Sequence, residues 1–198
     1  MATTPFLVST FTALAIAICS TSSAMAVDSQ RTPSPRLEVA FEPEAGAEAL
    51  VLNVLASATR SIRLSAFALS SPAIIGALVR AKNHGIDVQV VVDHHHNVED
   101  DPKGIGRRAL ATLAEVGIPA RTNSSHRILH DKFIVVDSLH IQTGSYNYAL
   151  SANANSENVL VIWNDVDLAW RYLQHWQSRF DGGVIFTGHA VTGIEQKS

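Results

Sequence analysis

The chain has almost no cysteine, and its first 26 residues carry no charged side chain. The single cysteine, Cys19, lies in that uncharged segment, so residues 27–198 can form no disulfide bond among themselves. Their stability must therefore come from the burial of apolar surface. The length suits one domain, 37–198, with a single core, preceded by an exposed leader, 27–36, that contains proline and serine.

The uncharged segment is typical of a signal peptide. An apolar stretch at 6–19 is too short for a stable membrane anchor, and an A-x-A sequence that signal peptidase accepts ends at Ala26. No Lys or Arg precedes the stretch, and the bulky Ile18 disfavours lipoprotein cleavage at Cys19. We expect a signal peptide, 1–26, export to the periplasm or the extracellular space, and no stable membrane insertion after cleavage.

Positive charge is not in excess either. The net charge of −3 excludes a globally basic surface that would attract nucleic-acid phosphates over long distances. Contacts with phosphates must then be local, and Arg107, Arg108 and Arg127 are weak candidates for substrate binding. For each of them taken singly, a solvated surface charge is the simpler interpretation.

Apolar periodicity predicts helices and strands that alternate along much of the chain. Helices are expected at 44–59, 72–82, 107–116 and 165–181, and strands at 37–41, 61–69, 87–92, 118–121, 128–136, 140–143 and 158–163. Helices between strands favour parallel crossovers, and a continuously apolar strand implies a sheet covered on both faces. We therefore expect an α/β fold with a mixed, mostly parallel β-sheet, flanked by helices on both faces and including one hairpin at 137–139.

A histidine and a lysine stand two positions apart in one predicted strand. Residues at this spacing share a face, so His130 and Lys132 should project together. Their burial is costly unless they meet an anion or hydrogen-bond partners, which favours a phosphate site. Gly144, Ser145 and Asn147 follow with a flexible backbone point, a hydroxyl and an amide that can bind phosphate oxygens. Alone, His130 and Lys132 would be better explained as structural residues.

The combined spacing resembles the H-x-K-x4-D-x6-G-S-x-N signature of the phospholipase D superfamily. The matching residues are His130, Lys132, Asp137, Gly144, Ser145 and Asn147. The resemblance covers most of the chain after residue 26 and is closest to the small, exported bacterial endonucleases with a single motif. It implies a phospholipase D-like fold and a two-step transfer through a covalent phosphohistidine, with no metal and no cofactor.

The resemblance also implies roles for the individual residues. His130 of one subunit attacks phosphorus, while His130 of a second subunit protonates the leaving oxygen and then activates water. Lys132 and Asn147 hold the non-bridging oxygens, and Ser145 adds a hydrogen bond. Glu157 matches the acidic residue that orients the imidazole.

Asp137 and Gly144 complete the signature as structural residues. Strand alternation makes Asp137 face away from His130, so we expect it to stabilise the turn. The chain contains one H-x-K sequence, which is half of the site that the mechanism implied by the resemblance needs. A homodimer with both His130 side chains near a twofold axis is therefore expected.

The run His94-His95-His96 raises the question of a metal site, because imidazoles bind zinc and related ions. Three adjacent histidines on a loop cannot easily converge on one ion, so we predict no metal. The segment is interpreted as a solvated acidic loop, with a role at the substrate's edge as the alternative.

Three functions fit the signature: a nuclease, a phospholipase D acting on lipid head groups, and a catalytically silent protein that binds phosphodiesters or nucleic acid. Lipid-cleaving relatives are usually longer and carry two motif copies, and no basic amphipathic helix for a membrane surface appears here. The sequence therefore favours a non-specific endonuclease whose substrate is nucleic acid, DNA or RNA.

Overall fold

A computed structural model describes residues 1, 34–44 and 46–188. The predicted signal peptide after Met1 and the leader up to residue 33 lie outside the described residues. Every described helix and strand lies within one compact unit, Thr32–Ser198. Within the described ranges, no helix has both the length and the apolar character needed to span a membrane.

The described residues form eight strands, four α-helices and two short helical segments. The strands are β1 (Arg36–Glu42), β2 (Ser61–Ala66), β3 (Asp87–Asp93), β4 (Ala120–Asn123), β5 (Lys132–Val136), β6 (His140–Gly144), β7 (Glu157–Trp163) and β8 (Val184–Ile185). The α-helices are α1 (Ala47–Ala56), α2 (Pro72–Asn83), α3 (Ile105–Glu115) and α4 (Val166–Asp181). A π-helical segment, His95–Glu99, lies in the predicted polar loop, and a 3-10 helix spans Leu150–Ala154.

These strands form one mixed sheet in the order β1-β7-β6-β5-β2-β3-β4-β8. The α/β class is confirmed, but the expectation of a mostly parallel sheet was wrong. Only β2–β3 and β3–β4 are parallel among the described pairings, and the other neighbours are antiparallel. The reason is that α2 and α3 return the chain between β2, β3 and β4, whereas no α-helix separates β5, β6 and β7, so these strands reverse direction.

Helices cover the sheet on both faces, as predicted. Alternation along β3 divides the core: Val90 packs in the cluster that includes α1, α2 and α3, and the next residue, Val91, packs in the cluster that includes α4. Helix α4 begins after Asp165, whose carboxylate accepts a hydrogen bond from Leu168 N at 2.9 Å. Trp176 fixes this helix to the sheet, because its buried indole donates to Leu64 O at 2.9 Å.

Candidate active site

The Asp137 carboxylate connects the β5–β6 turn to the start of β2 through hydrogen bonds. It accepts hydrogen bonds from the backbone N–H groups of Thr59, Arg60 and Ser61, each at 2.8 Å, and from the Thr59 hydroxyl at 2.7 Å. Burial alone would raise the pKa of this carboxyl, but the bonds from Ser61, Thr59 and Arg60 outweigh burial and hold the pKa below its ordinary value of 3.8. All these contacts are structural, and none reaches His130.

Gly144 allows β6 and β7 to approach closely where the signature ends. A Cβ atom on Gly144 would lie 2.2 Å from the carbonyl oxygen of Asn158, so no side chain fits there. The close approach places Ser145 against β7, where its N–H donates to Asn158 O at 3.1 Å. Its hydroxyl donates to the Glu157 carboxylate at 2.5 Å and accepts from Asn158 N at 3.0 Å. Ser145 and Glu157 are thereby joined.

His130 lies on an exposed segment before β5, and not within a strand. The predicted strand 128–136 was therefore wrong at its start, because β5 begins at Lys132. The buried carboxylate of Asp93 holds the preceding residue in place by accepting from Leu129 N at 2.8 Å. The centroids of the His130 and Phe67 rings lie 4.9 Å apart. Phe67, which no sequence pattern singled out, is the side chain against which the imidazole rests.

Lys132 brings a largely buried ammonium group beside His130. The residue is only 8% exposed, and its Nζ donates to the backbone oxygen of His130 at 2.9 Å. The same Nζ lies 5.3 Å from the centroid of the Phe67 ring, within reach of a cation–π contact. Burial lowers the pKa of Lys132, while the charges of Asp131 and Glu157 oppose that shift. The side chains of Lys132 and His130 therefore both lie against the Phe67 ring.

Asn147 and Glu157 make no hydrogen bond with His130 or Lys132 among the described residues. The Oδ1 of Asn147 is buried and has no hydrogen-bond partner among the described residues. Besides the Ser145 hydroxyl, the Glu157 carboxylate accepts from Asn155 Nδ2 at 3.1 Å. Within the described residues of this one chain, Glu157 and His130 share no hydrogen bond. The structure thus joins Glu157 to Ser145 and leaves the expected contact between Glu157 and the imidazole unmade.

Asp131 and His175 form a pair that the sequence alone did not predict. His175 Nε2 lies 2.9 Å from Asp131 Oδ2, and the same oxygen accepts from the Ser65 hydroxyl at 3.2 Å. Asp131 precedes Lys132 and projects to the opposite face of the sheet, which α4 covers. The alternation of side chains along a strand could have predicted this contact, because it directs the middle residue of the H-x-K sequence toward the helix that packs on the opposite face.

An open cavity of about 420 Å³ lies beside these residues. Its walls include three signature residues and three residues of α4, namely His130, Lys132, Gly144, Arg171, Tyr172 and His175. The cavity therefore joins His130, just before β5, to α4.

Comparison with known proteins agrees with this geometry. Residues 51–182 match the family model described as "Cardiolipin synthase, PLD-like domain". The chain belongs to the phospholipase D superfamily. Phospholipase D of Rickettsia conorii is 30% identical over 73% of this chain and 69% of its own length, and that of Rickettsia typhi is 32% identical over 70% and 65%.

Two solved structures share the fold. Nuc from Salmonella typhimurium, described as a phospholipase D family member, is 41% identical with a TM-score of 0.74 and covers 77% of this chain and 98% of its own. NucT from Helicobacter pylori is 18% identical with a TM-score of 0.64 over 77% and 99% of the two chains. The family, the fold and the site together identify a phosphodiesterase, a hydrolase of the phospholipase D superfamily.

The three arginines proposed for substrate binding lie on two different segments, Arg107 and Arg108 on α3 and Arg127 before β5. The guanidinium of Arg107 donates to backbone oxygens of the preceding loop at 2.5 and 2.8 Å, and that of Arg108 donates to another at 2.8 Å. Both line a separate cavity of about 1000 Å³ that contains no signature residue. Arg127 is exposed on the segment that leads to His130.

The three histidines of the polar loop contact Thr122, Glu99 and Phe67, and both His94 and His95 lie within 3.4 Å of the Glu99 carboxylate. His94 Nδ1 lies 2.9 Å from the Thr122 hydroxyl, and His95 Nδ1 lies 2.9 Å from the Glu99 carboxylate. The hydrogen bond with Glu99 raises the pKa of His95. His96 packs on Phe67 instead, with ring centroids 4.3 Å apart. In the part of the chain that the structure describes, no group of three His, Cys, Asp or Glu side chains is arranged to hold a metal ion.

Proposed function

We propose that the chain is a metal-independent, non-specific endonuclease that hydrolyses phosphodiester bonds in nucleic acid. The observation that carries the proposal is the exposed His130 imidazole at the rim of an open cavity, next to the largely buried ammonium of Lys132. A phosphodiester within an extended polymer can reach such an exposed nucleophile without insertion into the protein. The resemblance to the single-motif endonucleases of the superfamily supports the same choice.

The proposed reaction has two steps through a phosphohistidine. An unprotonated nitrogen of His130 attacks phosphorus, the P–O bond to the leaving group breaks, and the leaving oxygen takes a proton from the second His130. That second imidazole then removes a proton from water, the water oxygen attacks phosphorus, and the P–N bond breaks. The products are one phosphomonoester and one alcohol, and both histidines return to their starting states.

In this proposal Lys132 and Asn147 hold the non-bridging oxygens, as the superfamily signature implies. An ammonium group has three N–H donors, and one of them in Lys132 is used by the His130 carbonyl, which leaves donors for a phosphate. The superfamily signature assigns the same role to Asn147, whose side-chain amide carries two N–H donors. Donors in a partly buried site stabilise charge that develops on phosphate oxygens in the transition state more strongly than water does.

We further propose that the active enzyme is a homodimer. The described site contains one His130 and one Lys132, and the chain has no second H-x-K sequence. A twofold contact would place two copies of this motif on opposite sides of one phosphate. The two imidazoles could then hold different protonation states and exchange roles.

We propose that the enzyme acts outside the cytoplasm after removal of residues 1–26. The uncharged apolar segment and the A-x-A sequence ending at Ala26 support this proposal. The N-terminal residue of protein recovered from the periplasmic fraction should be Val27, and recovery of exported protein that still begins at Met1 would contradict cleavage.

A phospholipase D is the second candidate, because relatives from Rickettsia carry that name. The deciding experiment incubates purified protein, in excess EDTA, with plasmid DNA, RNA and phosphatidylcholine vesicles in parallel, and uses His130→Asn as the inactive control. We expect cleavage of nucleic acid by the wild type alone. Cleavage of lipid alone would replace the nuclease by a phospholipase, and activity that EDTA abolishes and zinc or magnesium restores would contradict metal independence.

A further inference from the structure

The cavity beside His130 extends along α4 to a cation outside the superfamily signature. Arg171 lines this cavity and is exposed. Asp167 stands four residues earlier, at a spacing that favours ion pairs on a helix. Yet among the described residues Arg171 makes neither a salt bridge nor a hydrogen bond with Asp167 or any other side chain. Its guanidinium is therefore available to an anion that enters the cavity.

The residues around Arg171 define what kind of group would fit. Tyr172 lines the same wall and packs edge-on against Phe133, with ring centroids 5.0 Å apart. His175 is held in place by Asp131, 2.9 Å away. A guanidinium next to a phenol and an imidazole can bind a phosphate and lie against a sugar or a base, because every base offers a π-face to an aromatic side chain.

The size of the cavity exceeds what one phosphate requires. Its volume of about 420 Å³ falls within the range of roughly 300–1,000 Å³ that is typical of pockets for small organic ligands. His130 borders this cavity just before β5, and Arg171 borders it from a different element, α4. The space toward α4 is therefore left for the part of the substrate that follows the reacting phosphate.

We propose that Arg171, Tyr172 and His175 form a subsite for the nucleotide next to the scissile phosphate, and that Arg171 binds the phosphate of that nucleotide. The proposal rests on the proposed nuclease function and deepens it. A polynucleotide carries a negative charge on every nucleotide. The guanidinium of Arg171, which lies on α4 and apart from the reacting phosphate, can therefore bind the phosphate of the neighbouring nucleotide. A phospholipid with one phosphate offers no such partner.

The test compares thymidylyl-thymidine, which has one phosphodiester, with an oligothymidylate of several nucleotides. Arg171→Ala should lower kcat/KM for the oligonucleotide by about tenfold through KM, and leave hydrolysis of the dinucleotide unchanged. The slope of log(kcat/KM) against log salt for the oligonucleotide should also fall by about 0.7, as for one lost contact with a single-strand phosphate. Arg171→Lys keeps the charge and should retain part of the preference for the longer substrate.

Arg80→Ala is the matched control. Arg80 is exposed on α2, which packs on the opposite face of the sheet, and its removal changes the net charge equally. It should leave both substrates unaffected, and both variants should keep the thermal midpoint of the wild type.

Three outcomes would overturn the subsite. They are equal losses by Arg171→Ala on the two substrates, no loss on either substrate, and the same loss with Arg80→Ala. Failure of the nuclease function is seen separately in the wild type, which would then hydrolyse bis(p-nitrophenyl) phosphate but neither thymidylate substrate.

Discussion

The imidazole of His130 rests against the phenyl ring of Phe67, with centroids 4.9 Å apart and ring planes inclined by 59°. The same phenyl ring lies 4.3 Å from the ring of His96 and 5.3 Å from Lys132 Nζ. The backbone N–H of Phe67 also donates to Asp131 O at 2.8 Å. Since His130 precedes β5, its orientation depends on this ring and not on the pleat of a strand.

Truncation of Phe67 should therefore disturb catalysis more than folding. Phe67→Ala should lower kcat for bis(p-nitrophenyl) phosphate by about tenfold, because aromatic and cation–π contacts worth roughly 0.5–2 kcal/mol each are lost around His130 and Lys132. Phe67→Tyr keeps the ring and should retain most of the activity. Steady-state kinetics and thermal denaturation check this expectation, and an unchanged kcat in a folded Phe67→Ala enzyme would contradict it.

Replacement of His130 should abolish turnover and leave the fold intact. His130→Asn removes both the nucleophile and the general acid, whereas the exposed position of the side chain makes a large loss of stability unexpected. Nuclease assays and circular dichroism measure the two effects. His126→Asn is a control for the loss of an exposed imidazole nearby, and it should remain active. Substantial activity in folded His130→Asn protein would rule out this site.

Most elements could be predicted from the sequence because their signals are local. The capping side chain of Asp165 and the apolar face that follows it predicted α4, and Pro72 marked the start of α2. Strand direction could not be predicted in the same way. It depends on which strands become neighbours, and β5 pairs with β2, which lies far from it in the sequence.

The residues of the site also differ in whether a local sequence pattern could predict them. The signature singled out His130, Lys132, Gly144 and Ser145 as candidate site residues, since their spacing is local. Phe67 remained hidden because its contact with His130 joins distant parts of the chain. Hydrophobic patterning alone could not distinguish an aromatic residue at the active site from one in the core.

A mixture of wild-type and inactive subunits tests the shared site. His130→Ala subunits, added in excess under conditions that allow exchange, should reduce activity faster than the wild-type fraction falls, because a mixed dimer holds one His130 instead of two. Activity is measured against the mixing ratio, and sedimentation gives the mass of the active species. A linear decrease, or a fully active monomer, would contradict the dimeric mechanism.

Loss of the Asp137 charge should destabilise the protein. Asp137→Asn should lower the free energy of unfolding by about 2–4 kcal/mol at neutral pH, because three backbone N–H groups and a hydroxyl lose their ionised acceptor. Urea denaturation measures the difference. Asp167→Asn, on the exposed side of α4, is the control and should change stability little.

The contribution of Asp137 to the free energy of unfolding should decrease in acid. Its pKa in the folded protein lies below the ordinary value of 3.8, so its contribution to stability is fully present above that value. The contribution is lost as the pH falls below 3.8 toward the folded-state pKa. The difference between wild type and Asp137→Asn should therefore narrow in acid, and a difference that widens there would contradict the assignment.

The pairing of β1 with β7 affects the order in which the protein can fold. The register joins Glu42 to Glu157 and Arg36 to Trp163, so β1, the first of the described strands along the chain, finds its partner only after most of the domain exists. Pairings this distant in sequence slow folding, and they leave strand edges open to other chains in the meantime. A polypeptide that emerges stepwise from a ribosome or a membrane channel therefore cannot complete this sheet until β7 has emerged.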